Sequence, residues 1–302
     1  MSNIIETENL TKTFGHVPAV NRLYLSVPRG SIYAFLGPNG AGKTTTIKML
    51  MNIIRPSSGT ATILGANSLR LSPAELRQVG YVSENQQLPE WMTVQELMDY
   101  CRLMYPTWDN DFFQKLLKEF DLPLSQKIKS FSRGMKVKTA LLSSLSYRPK
   151  LLVLDEPFSG LDPMVRNEFI KGVLELTASE EWTIFISSHD IDEVERLADW
   201  VGIIDKGALK LAERIETLQQ RLRKVEVVLE SQITALPPLP PHWLLPEYQG
   251  RTFVFTDSAF ERDKTEKQIR NLFSDCANIK TETLSLKDMF ITLAKSFNIP
   301  SK

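Results

Sequence analysis

SIYAFLGPNGAGKT, residues 31–44, decides the fold. Its first seven residues form a short, β-rich apolar run with no polar face. That composition suits a central strand covered on both sides by helices. GPNGAGKT (37–44) then fits the pattern G-x-x-x-x-G-K-[ST] and opens a helical stretch, TTTIKMLMNII (44–54). Gly37, Gly40 and Gly42 let the backbone turn through conformations closed to other residues. With Pro38, Asn39 and Ala41 between them, the loop can point its N–H groups inward at phosphate oxygens. The helix from Lys43 adds its positive N-terminal end. Lys43 supplies a full charge at the β- and γ-phosphates, and the Thr44 hydroxyl is suited to Mg²⁺. Thr45 follows in the same turn. By chance the pattern arises in roughly one chain in a hundred of this length, and its place between strand and helix makes it a nucleotide-binding loop.

Two further apolar runs, LLVLD (151–155) and TIFISS (183–188), end like the first in polar residues that begin a loop. Between the runs lie helical patterns, VQELMDYCRLMY (94–105) and VRNEFIKGVLEL (165–176). The alternation predicts an α/β fold with a mainly parallel sheet. The first thirty residues read as a small antiparallel β layer, and residues about 88–147 as a helical insertion. Asp155, at the carboxyl end of its strand, is placed to hold Mg²⁺ through water. Glu156 beside it is placed to orient and deprotonate an attacking water, a role worth typically 10²–10⁴ in rate. His189, in ISSHD, ends the third strand at the edge where ligands collect in such sheets. It is a candidate contact to the γ-phosphate and the attacking water.

After about residue 210 the composition changes. LAERIETLQQRLRKVEVVLE reads as a charged helix followed by a strand. PPLPPHWLLP (237–246) reads as an extended linker without regular structure. RTFVFTD, FERDKTEKQIRNLF, NIKTETLS and LKDMFITLAKSF then read as strand, helix, strand and helix. The expected domains are 1–215, a nucleotide-binding core, and 216–302, a small α+β domain carrying the linker.

The 302 residues hold 36 Lys+Arg and 36 Asp+Glu, so the formal net charge is zero and nothing pulls the whole chain toward nucleic acid. MSNIIETENL has no apolar signal core, and the apolar runs are too short to span a bilayer. Cys101 and Cys276 lie far apart and read as free thiols in a reducing compartment.

The cradle, the insertion, FSRGM (131–135), LLVLDEP, SGLD (159–162) and SSHD follow one another in the order of an ABC-type ATPase. Over about residues 3–220 the chain resembles the nucleotide-binding subunits of ABC transporters. FSRGM stands where that family usually has LSGGQ: Ser132 and Gly134 match, Arg133 replaces a glycine and Met135 a glutamine. The resemblance implies that Ser132 and Gly134 bind the γ-phosphate of ATP held by a second subunit. It implies that Arg133 and Asp162 lie at the dimer seam with them. Phe14 takes the place of the aromatic that stacks on adenine, with a core phenylalanine as the alternative. YVSENQQLPEW (81–91) follows the pattern of the Q-loop: the glutamine position falls on Glu84, where a carboxylate would face Mg²⁺ directly or through water, and Gln86 and Gln87, about two residues later, are the alternative register.

FSRGMKVK (131–138) in place of LSGGQ, the PEWMTV segment (89–94) and the small C-terminal domain resemble most the ATPases of bacterial ABC-2-type and antibiotic-export systems. The resemblance thus implies Mg²⁺-dependent ATP hydrolysis in a dimer. It implies a separate integral membrane permease as partner, no nucleic acid, and a cytoplasmic place on the inner face of the membrane. The alternatives are a soluble ABC ATPase acting on a ribosome or DNA complex, and a nucleotide sensor without hydrolysis. Ribosome-acting members usually carry two ATPase halves and DNA-repair members long coiled coils; neither pattern is present. Glu156 and His189 speak against a mere sensor.

Overall fold

The computed structural model describes residues 2–84, 86–167, 170 and 182–297. The chain divides into two compact units, Met1–Ala212 and Glu213–Lys302.

The first unit holds two sheets. Strands β1 (Asn3–Phe14), β2 (Val17–Pro28), β4 (Ser58–Ile63) and β5 (Ala66–Asn67) form a four-stranded antiparallel sheet in the order β2-β1-β4-β5. The β layer expected in the first thirty residues is therefore extended by a later hairpin. The second sheet has six strands in the order β10-β9-β3-β8-β7-β6. These are β3 (Ile32–Leu36), β6 (Val79–Ser83), β7 (Leu151–Asp155), β8 (Thr183–Ser188), β9 (Trp200–Asp205) and β10 (Ala208–Arg214). Strands β6, β7, β8, β3 and β9 pair in parallel. Every residue of β3, β7 and β8 is buried, the apolar ones as their composition requires and Asp155, Thr183, Ser187 and Ser188 as buried polar residues at the strand ends.

One core joins the two sheets through helix α1 (Lys43–Leu50). Ile47, Met49 and Leu50 pack with Leu23, Leu25 and Ile63 of the antiparallel sheet and with Phe35, Val153 and Phe185 of the parallel one. Helix α1 is shorter than the stretch 44–54 suggested. It ends at Leu50, and Asn52 takes a positive φ of 56° that breaks the helical path.

Helices α3 (Val94–Met104), α4 (Asn110–Phe120) and α5 (Arg133–Leu145) follow β6; α2 (Pro73–Leu76) precedes it. Each of the three has a side-chain cap at its start. Thr93 and Glu96 form a reciprocal capping box, Asp109 accepts from the Phe112 N–H, and Ser132 accepts from the Met135 N–H. Most of the helix read at 165–176 lies outside the described residues.

In the second unit, β11 (Arg223–Leu229), β12 (Trp243–Gln249), β13 (Thr252–Asp257) and β14 (Cys276–Thr283) form an antiparallel sheet in the order β12-β13-β11-β14. Helices α6 (Ile215–Arg221), α7 (Arg262–Leu272) and α8 (Leu286–Phe297) complete it. Two readings are corrected here. The helix read from Leu211 starts only at Ile215, because ALKLAER alternates half-buried and exposed side chains and joins β10. The proline-rich stretch 237–246 is not wholly a linker. Trp243 is buried and stacks on Phe255 with ring centroids 4.0 Å apart, which draws the chain into the sheet as β12. No helix among the described residues is long and apolar enough to cross a membrane.

Candidate nucleotide site

Parallel register brings the functional segments to one sheet edge. Leu36 of β3 pairs with Ser188 of β8, and Asp155 of β7 pairs with both Ser187 of β8 and Ser83 of β6. Gly37, Asp155, Glu156, His189 and Glu84 therefore leave the sheet together, at its carboxyl edge. A cleft of about 610 Å³ opens there, lined among others by Phe14, Asn39, Lys43, Thr44, Glu156 and His189. Gly40, Gly42, Thr45, Glu84, Ser159 and Ala19 complete its wall.

The cradle's glycines are required by its geometry. Gly42 has φ 109°, and a Cβ there would lie 2.5 Å from the Ala19 carbonyl oxygen. A Cβ on Gly37 would strike the Ile204 carbonyl. The loop thus stays close to the Ala19 and Ile204 carbonyls, and it leads directly into the N-terminus of α1. Ala41 is buried beneath it, and its N–H donates to the Pro38 carbonyl at 3.1 Å.

Lys43 is folded back on this loop. Its Nζ donates to the carbonyls of Gly37 (2.6 Å) and Pro38 (3.2 Å) and lies 3.0 Å from Glu156 Oε1. The contact with Glu156 is an ion pair without hydrogen-bond geometry, since Oε1 is buried and accepts no hydrogen bond. Glu156 Oε2 lies 2.8 Å from His189 Nδ1. Lys43, Glu156 and His189 thus form a chain of contacts, buried at the lysine and open at the histidine, which is 42% exposed. Glu156 itself has φ 51°, an uncommon conformation for a residue with a Cβ. Ser187 steadies it: its Oγ accepts from the Glu156 N–H at 3.1 Å. A constrained backbone at the candidate base is the kind of strain that sites hold.

Asp155 accepts hydrogen bonds from Ser187 Oγ (2.7 Å) and Thr44 Oγ1 (3.1 Å). Burial pushes its carboxyl above the usual range, and the two hydroxyls hold it partly down. The Thr44 hydroxyl and the Asp155 carboxylate thus meet beside the cradle. They are hard oxygen donors of the kind Mg²⁺ takes, few in number as Mg²⁺ bound to a nucleotide requires. The donor set therefore fits the ion. Among the described residues no group of three His, Cys, Asp or Glu side chains is gathered to hold a metal alone.

The remaining residues read from sequence fall as follows. Phe14 is 54% exposed on the cleft wall with Lys12 Nζ 5.2 Å from its ring centre, so it is not a core phenylalanine. Ser132 is the N-cap of α5, with Met135 N–H donating to its Oγ at 3.3 Å. Gly134 sits in the first turn, where a Cβ would press on Val165. Neither residue lines this chain's own cleft. Asp162 accepts from the N–H groups of Met164 (3.0 Å) and Val165 (3.1 Å) and caps the helical residues that follow. Glu84 Oε1 accepts from Ser159 Oγ (2.6 Å) and Arg133 Nη2 (3.2 Å).

The sequence does not single out Ser187, and it marks Ser159 only as the first residue of SGLD. A serine at a strand end, as Ser187 is, gives no periodic or spacing signal. The position of Ser187 opposite Asp155 follows only from the β7–β8 register.

A glycine-rich phosphate loop between strand and helix, with an Asp-Glu pair at the end of a neighbouring parallel strand, defines a P-loop nucleotide hydrolase. Comparison with known proteins narrows the class. The ABC transporter family matches residues 20–159. The bacitracin transport ATP-binding protein BcrA of Bacillus licheniformis is 34% identical over 300 residues, 97% of this chain and 98% of its own length. The lantibiotic transport ATP-binding protein SrtF of Streptococcus pyogenes is 35% identical over 210 residues, covering 69% of this chain and 90% of its own. A solved ATP-binding subunit of an ABC transporter superposes with TM-score 0.65 at 28% identity, over 72% of this chain and 92% of that one. The chain belongs to the ABC transporter family as an ATP-binding subunit, and its reaction is ATP hydrolysis.

Proposed function

We propose that the chain powers an exporter of antibiotics, since two of its relatives are named for bacitracin transport and lantibiotic transport. In this reading it lies on the cytoplasmic face of the membrane, held there by a separate permease, and works as a pair of ATPase subunits. Residues 1–215 carry the ATPase, with a helical subdomain at about 88–147, and residues 216–302 a smaller α+β domain. No nucleic acid takes part.

The observation that carries the reading is the cleft itself, which brings the cradle, Asp155, Glu156 and His189 to one edge. Phe14 stacks on the adenine, a contact worth about 1–3 kcal/mol. Backbone N–H groups of the cradle, between Asn39 and Thr45, and the Lys43 charge hold the phosphates. Thr44 and Asp155 hold Mg²⁺, with Glu84 close by. When bound, the ion neutralises charge developing on the phosphates. Glu156 Oε2 accepts the proton of the attacking water, and His189 Nδ1, 2.8 Å away, orients that carboxylate. The arrangement needs Lys43 to leave Glu156 for the phosphates, which frees the carboxylate.

Ser132, Gly134 and the α5 N-terminus complete the site of the other copy. Their absence from this chain's own cleft supports that reading. Arg133 and Asp162 lie at the same seam. Hydrolysis then removes the nucleotide that bridges the two copies.

Tagged protein recovered from detergent-solubilised membranes tests the proposal. An integral permease is expected to copurify in stoichiometric amount and to raise ATP turnover. Recovery with ribosomes or DNA, and no integral protein, would contradict it.

A further inference from the structure

The Glu84 carboxylate has two claimants. Its backbone N–H donates to the Asp155 carbonyl at 2.8 Å, which fixes it beside the proposed Mg²⁺ strand, and its side chain lines the cleft. Yet Oε1 is already engaged by Ser159 and by the Arg133 guanidinium. The guanidinium also packs over the loop, since a Cβ on Gly160 would sit 2.8 Å from Nη1. One helical turn on, Lys136 makes a second ion pair with Glu90, Nζ to Oε1 at 2.5 Å. Two cations on one face of α5 thus grip two carboxylates of the segment that follows β6. Both 84 and 133 are positions where the chain departs from the usual family pattern. A neutral glutamine and glycine are replaced by opposite charges that meet.

We propose that Arg133 competes with the metal-bound nucleotide for Glu84, so that the start of α5 acts as a brake on Mg²⁺-nucleotide affinity. While the pair is closed, the carboxylate's charge is shared with Arg133 and Ser159. When the cleft is filled, Glu84 turns to the metal, and Arg133 is released together with the Ser132 turn it directly follows. The grip of α5 on its own chain then loosens as that turn is needed by the other copy. Both side chains are partly exposed, 48% for Arg133 and 35% for Glu84, so the brake is a light one.

The inference rests on the reading of Glu84 as a residue that faces the metal, and its test is made with ADP, which needs no second copy. Failure of the two-copy reading therefore leaves the result untouched. ADP affinity is measured with Mg²⁺ and with a chelator, in the unchanged protein, in Arg133→Gly and in Arg133→Gln, which keeps a good helix former in the first turn. Both variants are expected to bind ADP about two- to fivefold more tightly in Mg²⁺ and no differently in chelator. In a Glu84→Gln background the Arg133 changes are expected to have no further effect.

Unchanged or weaker affinity in Mg²⁺ would overturn the proposal, as would tightening that persists in chelator or in Glu84→Gln. If the unchanged protein bound ADP equally with and without Mg²⁺, the metal reading would fail and this inference with it.

Discussion

Glu156→Gln is expected to bind ATP normally, to lose about 10²–10⁴ in turnover, and to accumulate as an ATP-bound dimer. The argument is geometric. Amide replaces carboxylate without change of shape, so the cradle is untouched. The proton acceptor at Oε2 is gone, and so is the charge that holds Lys43 3.0 Å away. Lysine released from that pair is free for phosphate, so nucleotide affinity is held or raised. Single-turnover assays and sedimentation in ATP check both halves. Turnover equal to that of the unchanged protein would remove Glu156 from the role of base.

Lys43→Ala is expected to weaken ATP binding about 10- to 100-fold, the worth of a charge-assisted contact to phosphate. Here the structure adds a second effect. Lys43 is 5% exposed and is the cation set against the buried Glu156. Removing the lysine leaves the buried Glu156 carboxylate without its cation, with only the His189 ring at Oε2, and breaking a buried pair in this way costs about 3–5 kcal/mol. The variant should therefore melt several degrees lower as well as bind poorly. Combining it with Glu156→Gln separates the effects: melting recovers, because no orphan charge remains, while ATP binding does not. Normal ATP affinity in Lys43→Ala, measured by titration calorimetry, would count against the cradle.

Much of this site was legible because its residues act through short-range rules. Gly37 to Thr44 announce themselves by spacing. Asp155, Glu156 and His189 stand where mainly apolar strands stop, and parallel strands that stop together put their next residues side by side. What stayed hidden depends on pairings between distant loops. Glu84, Arg133 and Ser159 come from three segments, and no local pattern says that one carboxylate serves two donors. Nothing local to Arg133 points to its partner, which lies 49 residues away.

The errors of element assignment have the same origin. Leu211–Arg214 carries a helix-like charge pattern, yet it lies in β10, paired beside β9. The prolines before Trp243 suggested an extended linker, but a single indole stacked on Phe255 was enough to bind the following segment into a sheet.

The central claim is that each ATP is held between the cradle of one copy and the serine turn of another. Two populations test it most directly, both with Cys101 and Cys276 replaced and both carrying Glu156→Gln. One bears Asn39→Cys and the other, differently tagged, Ser132→Cys. A short thiol cross-linker is added with Mg²⁺ and ATP, with ADP, or with no nucleotide. A cross-linked pair carrying both tags, formed in ATP and absent without it, is the result this account predicts. No mixed pair in saturating ATP, or an equal yield in all three conditions, would contradict it.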